Sequence, residues 1–403
     1  MPFPNAFRDA TLPFARALLL PELPRARSST IPIVCIDCRY IRNRPSGISV
    51  VVQELVNYAP ILAPDLTFRL LKHPEAPARI SIAPNVEETV LAHAANGPVT
   101  MWALPAVTSF RDVALYHGTF NIMPAGLKVP TVTTIHDTMW LDHPEWAASH
   151  GWRGRVDRLF YRHGIRRAIE QSSLIATVST ATRNDIAAIA PLAADRLRVT
   201  RSGVSADFHP IGERRTIADW RRQLGCRSFV LTVGQFSPYK NQEAALRAFA
   251  QAFAADPGVH HVFVQRRGAG ESALMPIAKA LGVAERVHFL PQLSEDELVA
   301  LYNDALVLLH PSLREGFGNP LAEAMACGLP VVTSNVSAMP EVTGGAALVA
   351  APDDIATIAA SLRRIADDPR LALDLRQRGL ERAAELDWRN FALANIAVYR
   401  ELL

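Results

Sequence analysis

The stretch HPSLREGFGNPLAEAMACGLPVVTS, residues 310–334 of 403, decides the fold. An apolar run ends at His310, Gly316 and Gly318 follow, and Asn319 and Pro320 lead into the helix-forming string LAEAMA. Proline fits a first helical turn, where its missing N–H costs nothing. The segment therefore reads as strand, glycine loop and helix, with the helix N-terminus at the carboxyl end of a strand. That place favours phosphates and electron-rich hydroxyls, because the helix end carries partial positive charge and unpaired donors. Glu315 stands just before the turn and Glu323 about one helical turn inside it. Two carboxylates so placed can each accept hydrogen bonds from a different vicinal diol of a sugar nucleotide, one on the sugar and one on the ribose. An isolated pair of glutamates at this spacing is more often a solvated turn, so the surrounding sequence has to decide.

Outward from it, short apolar runs alternate with segments of helical period. The first half carries IPIVCI (31–36), TFRLL (67–71), VALYH (113–117), PTVTTIHD (130–137), LIATVS (174–179) and RLRVT (196–200). The second carries FVLTVG (229–234), HVFVQ (261–265), RVHFL (286–290), ALVLLH (305–310), PVVTS (330–334) and ALVA (347–350). Runs that are apolar nearly throughout suit parallel strands covered on both faces. Between them, Asn241 is a plausible N-cap before Leu246, Phe249 and Phe253, and Ser294 with Glu297 forms a capping box. The pattern occurs twice, with a break at HPIGERRT (209–216), and predicts α/β architecture with two Rossmann-like, doubly wound domains. The boundaries expected are 1–210, 211–387 and a terminal helix over 388–403. That helix has Phe391, Ile396 and Tyr399 for a buried face, and either stays with its own domain or crosses back to the first.

Composition excludes several classes. Hydrophobic residues make up 49% and charged residues 20% of the chain, the mix of a packed globular protein. Lys+Arg 42 against Asp+Glu 39, a formal +3, is too balanced to expect nucleic acid as a partner. The basic surplus lies before Pro210. Four cysteines do not make a disulfide framework. Cys35 and Cys38 spell C-x-x-C but lie in an apolar run with no second pair at ligand spacing, so they read as buried strand cysteines. Arg8, Asp9 and Arg16 interrupt any signal-peptide pattern, and no stretch reaches the roughly 20 apolar residues of a membrane span. The expectation is a cytoplasmic protein, at most peripheral on the inner face of the plasma membrane.

The 310–334 segment, together with Pro340, Glu341 and Val342, resembles the signature of retaining family-4 glycosyltransferases of the GT-B fold, in which two Rossmann-like domains face a central cleft. VGQFSPYKN (233–241) looks like the family's phosphate-binding strand-loop-helix, which makes Lys240 the cation opposite a diphosphate leaving group. Many relatives carry an arginine beside this lysine, where this chain has Gln235 and Tyr239; Arg266 or Arg267 is the candidate replacement. CIDCRYIRNRPSGISVVVQEL (35–55) is similar to the family's opening strand, glycine loop and helix, with Gly47 at the backbone approach and Arg39 pointing into the cleft. TVTTIHDTMWLDHPEW (131–146) looks like its strand ending in a His-Asp pair. ATVSTATRND (176–185) and RSGVSADFHP (201–210) match further landmarks, placing Arg201 and Gly203 on the hinge side and Ser202 where relatives often have Asn.

The resemblance implies His136, Glu315 and Lys240 as catalytic residues. It implies Gly47, Lys240, Arg266, Glu315, Gly316, Phe317, Gly318, Asn319 and Glu323 for the donor, and Arg39, His117 and Asp137 on the acceptor side. It implies a nucleotide diphosphate sugar as donor, best read as GDP-mannose with UDP-sugars open. The acceptor would be a saccharide or lipid-linked saccharide of a bacterial surface polysaccharide. No D-x-D triplet occurs, so neither metal nor other cofactor is expected, and fixed donors would stabilise the diphosphate. WRGRVDRLFYRHGIRRAIE (152–170) places Arg158, Arg162 and Arg166 on one helix face, which reads either as a contact with anionic lipid or as a solvated basic face. A sugar-nucleotide epimerase, a phosphorylase and a non-catalytic saccharide-binding scaffold are the competing functions on the same architecture.

Overall fold

Parallel strands need crossover connections, and both halves of the chain supply them with helices. The computed structural model describes residues 31–42, 46–147, 151–212, 219–265 and 268–403. The first sheet contains β1 (Ile33–Asp37), β2 (Thr67–Lys72), β3 (Val86–Val90), β4 (Leu115–Gly118), β5 (Thr131–Ile135), β6 (Leu174–Thr177) and β7 (Leu197–Val199), in the order β3-β2-β1-β4-β5-β6-β7. The second contains β8 (Ser228–Val233), β9 (Val259–Val264), β10 (Val287–Leu290), β11 (Val307–His310), β12 (Val331–Ser334) and β13 (Leu348–Ala350), in the order β10-β9-β8-β11-β12-β13. All pairings are parallel. In each sheet the strand order reverses beside the first strand of that half, and the crevice outside the carboxyl ends at such a switch point is where ligands bind in this class of fold.

Helices of two turns or more are α1 (Gly47–Leu62), α2 (Pro98–Val107), α3 (Gly151–Gln171), α4 (Thr180–Ile189), α5 (Gln242–Ala252), α6 (Ala269–Ala280), α7 (Glu295–Asp304), α8 (Asn319–Ala326), α9 (Ile355–Asp367), α10 (Pro369–Ala384) and α11 (Trp388–Arg400). Ser294 and Glu297 do form a reciprocal capping box on α7. Asn241 does not cap α5 through its side chain. It adopts a left-handed conformation, φ 52°, and its amide instead donates to the carbonyls of Pro311 and Pro352 at 3.1 and 2.8 Å. Leu246, Phe249 and Phe253 are buried against β9 and α9. Strand β3, VEETV, has no counterpart among the apolar runs, because it is an edge strand with no fully buried side chain and with Glu87 and Val90 exposed.

The chain crosses between the two halves at two adjacent places. Val204 donates to the Leu386 carbonyl at 2.9 Å, beside the bridge between Val204 and Asp387. Past that point α11 leaves the second half and packs on α1 and the first sheet, with Trp388, Phe391, Ile396 and Tyr399 in one apolar cluster with Val34, Val52, Leu55 and Ala59. Tyr399 reaches His117 of β4, Oη to Nδ1 at 2.7 Å.

Candidate functional site: a cleft between two helix N-termini

Three donors meet on one oxygen of Glu315. Lys240 Nζ lies 2.6 Å, Ser312 Oγ 2.8 Å and His310 Nε2 2.9 Å from Oε1. Oε2 receives no protein hydrogen bond among the described residues and is the oxygen left for a ligand hydroxyl. Burial alone would push this carboxyl up, but the Lys240 ammonium and the His310 bond outweigh it and hold the acid down at about 2. Ser337 fixes the backbone on either side: its hydroxyl accepts from Glu315 N at 3.2 Å and donates to Glu315 O at 2.7 Å. Asn241 and Ser337 are the non-glycine residues with positive φ among the described residues. Both support the Glu315 loop, the usual place for strained backbone.

Past Glu315 the chain turns through Gly318, φ +95°, into α8, whose N-terminus has no side-chain cap. Pro320 has no N–H and the Leu321 N–H donates to the Gly318 carbonyl at 2.9 Å, so this helix end presents the Asn319 N–H and the positive pole of its dipole to an anion. Opposite stands the N-terminus of α1; a Cβ on Gly47 would lie 3.7 Å from the side-chain Nδ2 of Asn319. Gly316 comes still closer to the first half, and a Cβ there would overlap the His136 carbonyl. Glycine at 316 is thus a requirement of the closed cleft. The side chain of Phe317 is buried in the core of the second half, so this residue faces the cleft through its backbone alone.

Glu323, one turn into α8, accepts from Tyr302 Oη at 2.7 Å. Burial pushes its carboxyl up to about 7, against the Tyr302 bond and the Lys240 charge. Tyr239, the residue in place of the expected arginine, lies with its ring centroid 5.2 Å from Lys240 Nζ, and its carbonyl accepts from Leu313 N. Arg266 lies outside the described residues, as does Arg267. Beside them, Gln265 at the carboxyl end of β9 is buried, with neither amide atom hydrogen-bonded among the described residues. It lines a hollow with Gly268, Glu271, Phe289 and Leu290.

From the first half, His136 follows β5. Nε2 donates to the Thr119 carbonyl at 3.0 Å, and Asn121 holds the His136 amide at 3.0 Å. Burial lowers its pKa despite the Thr119 bond. It is a neutral imidazole whose Nδ1 is a hydrogen-bond acceptor. Asp137, beside Gly316, accepts from Met139 N at 2.9 Å, and burial raises its pKa.

Two acceptor-side expectations are corrected. Arg39 does not point into the cleft: it is fully buried, forks onto Asp37 at 2.8 and 2.5 Å, and donates to the His93 carbonyl at 2.9 Å. Pairing with the aspartate two residues earlier, at the end of β1, is what lets a guanidinium sit in the core. His117 is likewise buried, with both ring nitrogens occupied by Tyr399 and Thr134, and burial pushes its pKa down to about 3. It joins α11 to the first sheet.

Two residues not singled out for a role tie the halves together. Glu341 accepts from the first N–H groups of α4, Thr180 and Ala181, both at 3.0 Å, and from Arg201 at 2.9 Å. Burial opposes its ionisation, but these donors lower its pKa. Arg314 reaches Thr138 at 2.5 Å, Asp185 at 2.6 Å and Asp142 at 2.8 Å. The signal for Glu341 was its place in the PEV landmark; Arg314 occupies a variable position of the signature, and nothing in its spacing marks it. Ser202 is buried with its hydroxyl unpaired among the described residues, and a Cβ on Gly203 would press on the Trp388 backbone.

Two parallel Rossmann-like sheets, with opposed helix N-termini between them, define the GT-B class. The solved sucrose-phosphate synthase from Thermosynechococcus elongatus overlays on 93% of this chain and 99% of its own, with TM-score 0.69 at 22% identity. The Anabaena protein HepE, solved in complex with UDP and glucose, overlays on 93% and 100%, with TM-score 0.68 at 19% identity. A family model described as "Glycosyl transferases group 1" matches residues 217–382. The chain is 30% identical over 305 residues to O-antigen chain mannosyltransferase B of Escherichia coli, spanning 75% of this chain and 77% of that one. It is 31% identical over 294 residues to MMP alpha-(1->4)-mannosyltransferase of Mycolicibacterium hassiacum, spanning 71% and 69%. The chain belongs to the group 1 glycosyltransferases.

Proposed function

We propose that the protein is a retaining, metal-independent mannosyltransferase. It moves mannose from GDP-mannose to a saccharide or lipid-linked saccharide in surface-polysaccharide synthesis, at the inner face of the membrane. The observation that carries the reading is Glu315 with one oxygen held by Lys240, His310 and Ser312 and the other left for a ligand, beside an uncapped helix N-terminus. The two mannosyltransferase relatives, similar over some three quarters of the chain, support the choice of sugar.

In this reading Glu315 Oε2 accepts a hydroxyl of the donor sugar, and Glu323 accepts from the ribose. His136 Nδ1 accepts a second sugar hydroxyl, which orients the ring without placing a positive charge beside a carbocation-like centre. The bond between the anomeric carbon and the diphosphate oxygen breaks, its electron pair leaving with the nucleoside diphosphate. Lys240 and the α8 N-terminus stabilise that charge. The acceptor oxygen bonds to the anomeric carbon on the same face, and its proton passes to the departing phosphate oxygen. Retention follows without a protein nucleophile.

The test is transfer by the purified chain from a panel of GDP- and UDP-sugars, with the anomer of the product read by NMR and EDTA added in parallel. Transfer from GDP-mannose with retained α-configuration and undiminished rate in EDTA is expected. Preference for a UDP-sugar, an inverted product or loss of rate in EDTA each refutes its part of the reading.

A further inference from the structure

Helix α3 has two apolar sides. Its packed side is formed by Gly154, Ile165, Ala168 and Ile169, which are buried. At 3.6 residues per turn, Trp152, Val156 and Leu159 fall together on the opposite side, and they are 71%, 54% and 71% exposed. Packing against the described residues does not account for a stripe pointing away from them. Arg155, Arg162 and Arg166 flank the stripe on one side and Arg153 on the other; the Arg153 guanidinium carbon lies 5.6 Å from the Trp152 ring centroid. Trp102 of α2, 52% exposed, meets Phe160 at 5.6 Å and continues the apolar surface onto a second helix. On its inner side α3 touches the site loop: Tyr161 stacks on Trp140, four residues past His136, with ring centroids 4.3 Å apart.

We infer that Trp102, Trp152, Val156 and Leu159 insert into the interfacial region of an anionic phospholipid bilayer, with Arg153, Arg155, Arg162 and Arg166 on the headgroups. Charge decides the occupant. A row of exposed apolar side chains edged by arginines matches a surface that is apolar below and anionic above, and tryptophan is at home at that boundary. Like-charged arginines on both partners would repel a second copy of the same face. The inference deepens the proposed function and rests on its lipid-linked acceptor: docking through α3 brings the mouth of the cleft near His136 to the plane where such an acceptor lies.

The test is co-sedimentation of the full chain with phosphatidylcholine vesicles, with and without phosphatidylglycerol. Binding is expected only with phosphatidylglycerol and should weaken as salt rises. Each removed arginine should lower partitioning about fivefold, so Arg155→Gln with Arg162→Gln should lose about 25-fold. Trp152→Ser with Leu159→Ser should lose at least as much, while transfer to a water-soluble acceptor stays at the unmodified rate. Absence of phosphatidylglycerol-dependent binding, or indifference to both variant pairs, overturns the inference, as does an oligomer in solution that only the Trp152/Leu159 pair dissolves. Binding without any sugar transfer overturns the proposed function instead, and transfer without vesicle binding overturns the surface alone.

Discussion

One oxygen of Glu315 carries three hydrogen bonds and the other none among the described residues, and that asymmetry leaves one oxygen to support the loop and the other open to a ligand. Glu315→Gln keeps the shape but removes the charge that pairs with Lys240 in a site nearly sealed from water. The expected loss in kcat is about 10²–10³-fold, read from initial rates of sugar transfer. Leaving Lys240 buried without its partner should also cost about 3–5 kcal/mol of stability, read by thermal melting; an unchanged melting point would argue that Lys240 finds water in the free cleft. Glu323 supplies the pH dependence. Its folded-state pKa is raised to about 7 by burial, so below neutrality the carboxyl is protonated and, on the proposed donor-binding role, loses the charge with which it would accept from the ribose hydroxyls. Donor kcat/KM should therefore rise with pH through about 7, and Glu323→Gln should remove that inflection. His136 and Glu315 stand out in the sequence because their neighbours match a known pattern, and the structure places both beside Gly316 at the cleft. The hydroxyl of Ser337 does not, since a serine 22 residues away announces nothing until the loop folds back on it.

At the scale of elements, the 310–334 segment forms the strand, loop and helix that its glycines and Pro320 demand, and its consequences reach across the cleft. Gly316→Ala places a methyl against the His136 carbonyl, which forces the two halves apart by roughly the size of the clash. A misplacement of about 1 Å at a reacting centre costs about 10²-fold in rate. The expected result is a loss of that order in kcat/KM with a melting point close to the parent, since the residue is not part of either core. Equal activity would mean the catalytic form is more open than the closed cleft described here. The element that sequence reading missed, β3, shows the limit of apolar periodicity: an edge strand is held by ladder hydrogen bonds and needs few apolar side chains. Asn241 illustrates another limit. Its type suits an N-cap, but the same amide can bind two carbonyls brought close by the fold, and those partners come from residues 311 and 352.

At the scale of the whole molecule, two charged clasps span the cleft: Glu341 on the N-terminus of α4 with Arg201, and Arg314 on Asp142 and Asp185. Arg314 directly precedes Glu315, so closing this clasp and presenting the carboxylate are mechanically one event. Arg314→Ala with Glu341→Ala should raise the donor KM several-fold and enlarge the radius of gyration of the free protein in X-ray scattering, with little change in either sheet's stability. An unchanged radius would show that α11 and the crossing at Val204 hold the halves together unaided.

The sequence by itself determined the parallel α/β class, its repetition in two halves and the strand, loop and helix around Glu315, because apolar run length, glycine, proline and capping chemistry act within a few residues of chain. The tertiary structure decided what depends on partners distant in the chain. It sent α11 back onto the first sheet, where Tyr399 meets His117. It took Arg39 out of the cleft by giving it the His93 carbonyl and a core position. It also turned Trp152, Val156 and Leu159 outward, since which side of a helix is buried is settled by what packs against it.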